Sequence, residues 1–127
     1  MKLKVLFITA SVYLGLSGLG FIMIPQIFGT GAVPPDPSPE LLTYLRVFGS
    51  PLLGIAVLDW MARNEPSSSA RNAIIIGNIV GFGTIALLDI WGLLHEARPA
   101  TWVFVVIHLF FTLSFIVIGR KAIYKRQ

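Results

Sequence analysis

Four long apolar runs dominate this sequence, and a chain built that way has few ways to fold. A helix needs about 20 mostly apolar residues to cross ~30 Å of hydrocarbon. Residues 5–28, 41–61, 73–94 and 101–119 each meet that requirement. In lipid, backbone N–H and C=O groups must be satisfied internally, so runs of this length read as helices. The expected fold is all-α: a single domain forming a polytopic membrane four-helix bundle, up-down-up-down. Composition agrees. Only 13% of the residues are charged, against roughly 25% in soluble domains, and the mean hydropathy is +0.79.

The connections suit this reading. Residues 29–39 read GTGAVPPDPSP, and the prolines at 34, 35, 37 and 39 exclude a helix there. Pro39 and Glu40 fit the start of the second helix, where proline is tolerated and an acid favours the dipole. Pro66 with Ser67, Ser68 and Ser69 makes a second turn, and Glu96, Ala97, Arg98 and Pro99 make a third. Lys2 and Lys4 resemble the start of a signal peptide. The apolar run behind them far exceeds the 7–15 residues of a signal core, and no A-x-A site follows, so the segment is expected to be retained. The absence of cysteine excludes disulfides and thiolate chemistry.

Lysine and arginine set the orientation. Lys2, Lys4, Arg63, Arg71, Arg120, Lys121, Lys125 and Arg126 fall on one side of the four runs. The other side has Arg98, with Asp36, Glu40 and Glu96. The positive-inside rule then puts both termini in the cytoplasm. Tyr44, Trp91 and Trp102 mark the outer interface, Trp60 and Tyr124 the inner one. The net charge of +4 does not point to nucleic acid, because the basic residues sit at helix ends rather than on one face.

Small residues mark close helix contacts in lipid. The third run carries Ala73, Gly77 and Gly81; the first has Ser11, Gly15 and Gly18; the second has Ser50 and Gly54. Packing inside the bundle is the leading expectation, and packing between copies the next. Pro51 should kink the second helix and free the carbonyl of Val47.

Ionisable residues inside a bilayer are costly, so each needs a partner or a purpose. Arg46, Asp89 and His108 stand about five to seven residues in from the outer helix ends, roughly 8–10 Å deep at 1.5 Å per residue. Asn78 shares a helical face with Asp89, and Tyr13 lies on the polar stripe of Thr9, Ser17 and Gly20. Arg46, Asp89, His108, Tyr13 and Asn78 are therefore the candidate ligand-binding residues. The competing reading is a structural layer in which an Arg46–Asp89 ion pair fixes register beside His108; in another, Arg46 snorkels out to headgroups. Asp59 and Arg63 stand one turn apart, acid first, and read as interfacial anchoring.

Catalytic signatures are missing. The GFG at 81–83 lies inside an apolar run, so it is no nucleotide loop. His95 and His108 differ too much in depth for a bis-histidine haem, which leaves His108 alone as a haem or chlorophyll-type ligand. Asp89 has no second carboxylate for a two-metal site, and no nucleophile elbow is present. No catalytic residue and no metal site are expected, and an enzymatic role is not favoured.

GLGFIMIPQIFG at 18–29, PE at 39–40 and LRVFGSPLLGIAVLDWMAR at 45–63 are similar to small bacterial four-helix integral membrane proteins. The architecture resembles the DoxX-like group, which includes accessory subunits of respiratory or redox systems. The resemblance implies a multi-pass protein of the bacterial inner membrane, with Arg46, Gly49 and Gly54 at core positions. The expected function is a non-catalytic accessory or assembly subunit, with the bilayer and a membrane partner or second copy as its contacts. The alternatives are binding of a quinone, lipid or anionic ligand at the outer polar layer, and a small transporter acting as an oligomer.

Overall fold

A computed structural model of the chain describes residues 1–95 and 98–124, apart from the Tyr124 side chain. Glu96, Ala97, Lys125 and Arg126, assigned above to a turn and to the basic flank, lie outside the described residues, as does the Tyr124 side chain assigned to the inner belt. The described residues form helices and no strand: α1 (Leu3–Met23), α2 (Pro25–Phe28), α3 (Pro39–Ala62), α4 (Ser69–Leu94), α5 (Thr101–Ser114), a π-helical turn (Phe115–Gly119) and α6 (Arg120–Tyr124). Four helices are long and apolar enough to cross a membrane: α1, α3, α4, and the continuous stretch Thr101–Ile123. The fold is all-α, and it is that of a multi-pass membrane protein.

Local chemistry explains where the helices start and stop. The first apolar run does not stay helical over 5–28; it breaks at Ile24. Pro25 has no N–H to donate and its ring crowds the preceding turn, so α1 ends and the four-residue α2 begins. Gly31 follows with φ 84°, a left-handed backbone that favours glycine. Ser38 caps α3, its Oγ accepting from the Leu41 N–H at 3.2 Å. Ser68 caps α4 in the same way, accepting from the Arg71 N–H at 3.2 Å. Pro51 lies inside α3, which is helical on both sides of it.

The chain divides into two compact units, Ile8–Met61 in one and Met1–Phe7 with Ala62–Gln127 in the other. In the Ile8–Met61 unit, α1 and α3 run antiparallel. Ser11 meets Ala56, Gly18 meets Gly49, and Ile22 meets Arg46. The two backbones come close at Gly18 and Gly49. A Cβ added at Gly49 would lie 2.6 Å from the Gly18 carbonyl oxygen, and one at Gly18 would lie 2.8 Å from that of Gly49. Lower down, the Ser11 hydroxyl donates to the Ala56 carbonyl at 2.7 Å. Within a membrane such backbone approach and cross-helix hydrogen bonding replace the hydrophobic drive that lipid removes.

In the other unit, α4 packs antiparallel along Thr101–Ile123. Gly83 faces Thr112, Asp89 meets His108, Ile75 meets Gly119, and Arg71 reaches Ala122. Its core is aromatic. Phe82 stacks on Phe111 at 4.6 Å, and Phe7 meets Phe115 edge-on at 5.7 Å. The π-helical turn carries the fully buried Phe115 and ends at Gly119, against which Ile75 packs.

Candidate functional site

Asp89 and His108 form the site's centre. Asp89 stands on α4 and His108 on α5, each within two turns of the ends that the hairpin joins. The antiparallel register sets them side by side, with His108 Nδ1 2.6 Å from Asp89 Oδ2. The histidine side chain is 10% exposed and the aspartate 20%. Phe82 and Phe104 flank the imidazole, their ring centres 6.1 and 6.3 Å from its own. The Arg98 guanidinium lies over the outer of these rings, 5.3 Å from the Phe104 centre. The Thr112 hydroxyl donates to the His108 carbonyl at 2.7 Å, one turn further along α5.

This geometry permits two kinds of chemistry. With Nδ1–H donating to the carboxylate, the ring is held in one orientation and one tautomer, as it is when a carboxylate orients a working histidine. The pair also ties two helices together at a depth where an unpaired carboxylate would be expensive. Among the described residues His108 is the partner of Asp89, so the second carboxylate oxygen is left to whatever surrounds this largely buried side chain.

The other candidates are placed differently. Arg46 is not buried in a polar layer but exposed, its Nε donating to the Ile22 carbonyl at 3.3 Å. The break before Pro25 leaves the last carbonyls of α1 without intrahelical donors, and a guanidinium there caps them and opposes the helix dipole. Asn78 is buried, and its Nδ2 donates to the Ile74 carbonyl of its own helix at 3.0 Å. It stands eleven residues from Asp89, about 16 Å along the axis, so sharing a face does not bring the two together. Tyr13 is half-buried on α1. Among the described residues no three His, Asp or Glu side chains are grouped to hold a metal.

Of the small residues, Gly18 is used at the α1–α3 contact, but its partner is Gly49 rather than Ser50, which is exposed. Gly15 makes ordinary contact with Ala56, 3.8 Å from an added Cβ. Gly54, Gly77 and Gly81 differ. A Cβ added at any of them meets no atom within 4 Å among the described residues. Intramolecular packing, the leading expectation for the α4 ladder, does not use these positions, because α4 turns Ile75, Asn78, Phe82 and Ala86 inward instead. Asp59, read above as an interfacial anchor, is completely buried. Its helical phase with the buried Leu52 and Ala56 is the signal that could have found it.

A cleft of about 700 Å³ opens beside α2, lined by Gln26, Ile27, Thr30 and the turn that follows, with no charged side chain. No family model, curated protein or solved structure matches this chain.

Proposed function

We infer that this chain is an accessory or assembly subunit of the bacterial inner membrane, with both termini cytoplasmic. It associates with another membrane helix through one face of α4. The observation that carries this reading is the open ladder on that helix. Ala73, Gly77 and Gly81 are exposed, and added Cβ atoms at the two glycines would meet no atom within 4 Å among the described residues. Small residues at four-residue spacing let helix backbones approach closely in lipid, and a partner helix would use them as Gly18 and Gly49 are used within the chain. The orientation is supported by the bias of lysine and arginine toward one flank.

The chain has no cysteine, so single cysteines can be introduced cleanly. A Gly81→Cys variant in native membranes should give a higher-mass product with a short thiol cross-linker. A Val106→Cys control, also exposed, should not. The mass of the product separates a second copy from a different subunit. A chain that stays monomeric under both treatments sinks the reading.

The Asp89–His108 pair favours a second reading, a polar site for a small hydrophobic ligand such as a quinone or lipid. Asp89 keeps one-fifth exposure and an oxygen not engaged by His108. Mass spectrometry of the organic extract of purified protein tests it. A ligand lost in the Asp89→Asn variant supports the site, and extracts identical in wild type and variant count against it.

A further inference from the structure

Six basic residues, Lys2, Lys4, Arg63, Arg71, Arg120 and Lys121, belong to the unit built from Met1–Phe7 and Ala62–Gln127. Contacts within that unit draw them to one end. Arg71, in the first turn of α4, donates from Nη2 to the Ala122 carbonyl at 3.4 Å and from Nη1 to the Glu65 carbonyl at 3.2 Å. Ile75, one turn on, packs against Gly119, directly before Arg120 and Lys121. Phe7, which follows Lys2 and Lys4 at the start of α1, meets Phe115.

Four of these cations, Arg71, Lys2, Lys4 and Lys121, are paired with no carboxylate among the described residues. Both hydrogen-bond partners of the Arg71 guanidinium are backbone carbonyls, and among the described residues it joins no ion pair. Lys2, Lys4 and Lys121 are exposed and make no ion pair among the described residues. Glu65 is the acidic residue that Arg71 reaches, through its backbone, and its own carboxylate joins no ion pair among the described residues. Among the described residues the opposite end of the same hairpin carries Asp89 and His108 with Arg98 beyond them. These cations stand at the ends of helices long enough to span hydrocarbon, at the level where headgroups lie.

We propose that this end is a binding surface for acidic phospholipid headgroups, such as phosphatidylglycerol, in the leaflet it faces. Basic residues next to membrane helices are attracted to anionic lipid, and the attraction decays within a Debye length. The proposal goes beyond the association face on α4 and does not depend on it.

The test is thermal unfolding of the full chain in a neutral detergent with added lipid. Phosphatidylglycerol should raise Tm at low salt, and phosphatidylcholine at the same mole fraction should leave it unchanged. The rise should disappear in 0.5 M NaCl, where the Debye length falls to about 4 Å. It should shrink by half or more in a K2Q/K4Q/K121Q variant, whose three side chains make no hydrogen bond or ion pair among the described residues. Equal shifts with the two lipids overturn the proposal, as does a phosphatidylglycerol shift indifferent to both salt and the triple variant. Inorganic phosphate at matched concentration is the control for source. If it reproduces the shift, the surface is a free-anion site and the lipid assignment is wrong.

Discussion

Substituting alanine for Gly49 tests how α1 and α3 are held together. The new Cβ would sit 2.6 Å from the Gly18 carbonyl oxygen, 2.9 Å from Ile22 Cγ1 and 3.1 Å from Phe21 Cβ. Ordinary contacts of this kind begin near 3.4 Å, so the helices must part by close to an ångström locally. Two of the three obstructing atoms are backbone or Cβ, which cannot rotate away. Overpacking of this kind costs about 1–3 kcal/mol, against a gain of about 0.5–1 kcal/mol from replacing a helical glycine by alanine. Gly54→Ala, about one and a half turns further along α3, has the same propensity gain and meets no obstruction among the described residues. The two variants should therefore differ by about 1–3 kcal/mol in the same helix, with Gly54→Ala the more stable. Reversible unfolding in mixed micelles of mild detergent and dodecyl sulfate measures that difference. Gly18→Ala should resemble Gly49→Ala. The double variant should cost less than the sum, since one separation of the helices relieves both clashes. Equal stability of Gly49→Ala and Gly54→Ala would falsify the close approach.

Three further outcomes follow from named contacts. Asp89→Asn and His108→Ala should each destabilise the α4–α5 hairpin by about 1–2 kcal/mol, and a double-mutant cycle in the same unfolding assay should show coupling between them. Additive losses would mean the 2.6 Å contact carries little energy. Ser11→Ala should cost about 0.5–1.5 kcal/mol by removing the hydroxyl bond to Ala56; an unchanged unfolding midpoint would show that bond to be dispensable. Arg71→Met should loosen the junction of α4 and α6, seen as faster hydrogen exchange at the amides of residues 119–124 with little change at residues 82–92. Exchange that rises equally in both segments would refute a local role.

How much could be read in the residues alone depended on the range of the interaction. Helix content and the number of membrane-length helices follow from hydrophobic run length, because lipid forces the backbone to satisfy itself within each run. The caps at Ser38 and Ser68 and the proline-rich turn follow equally from local chemistry. The Asp89–His108 contact was half legible, since depth counted from a short connection gives register but not rotation.

Rotation about the helix axis was decided by the tertiary structure. A membrane helix apolar all round carries little amphipathic signal to say which face turns inward. The small-residue ladder of α4 was therefore expected inside, and the structure leaves Gly77 and Gly81 open. Gly49, rather than the neighbouring Ser50, makes the close contact with α1. Arg46 was expected to be buried, and its guanidinium instead caps α1, because the break at Pro25 exposes carbonyls that no sequence count could locate beside it. The sequence by itself determined four apolar helices and the basic flank. Only the tertiary structure decided which faces meet, since run length is a one-dimensional quantity and packing depends on the angle at which each side chain leaves its helix.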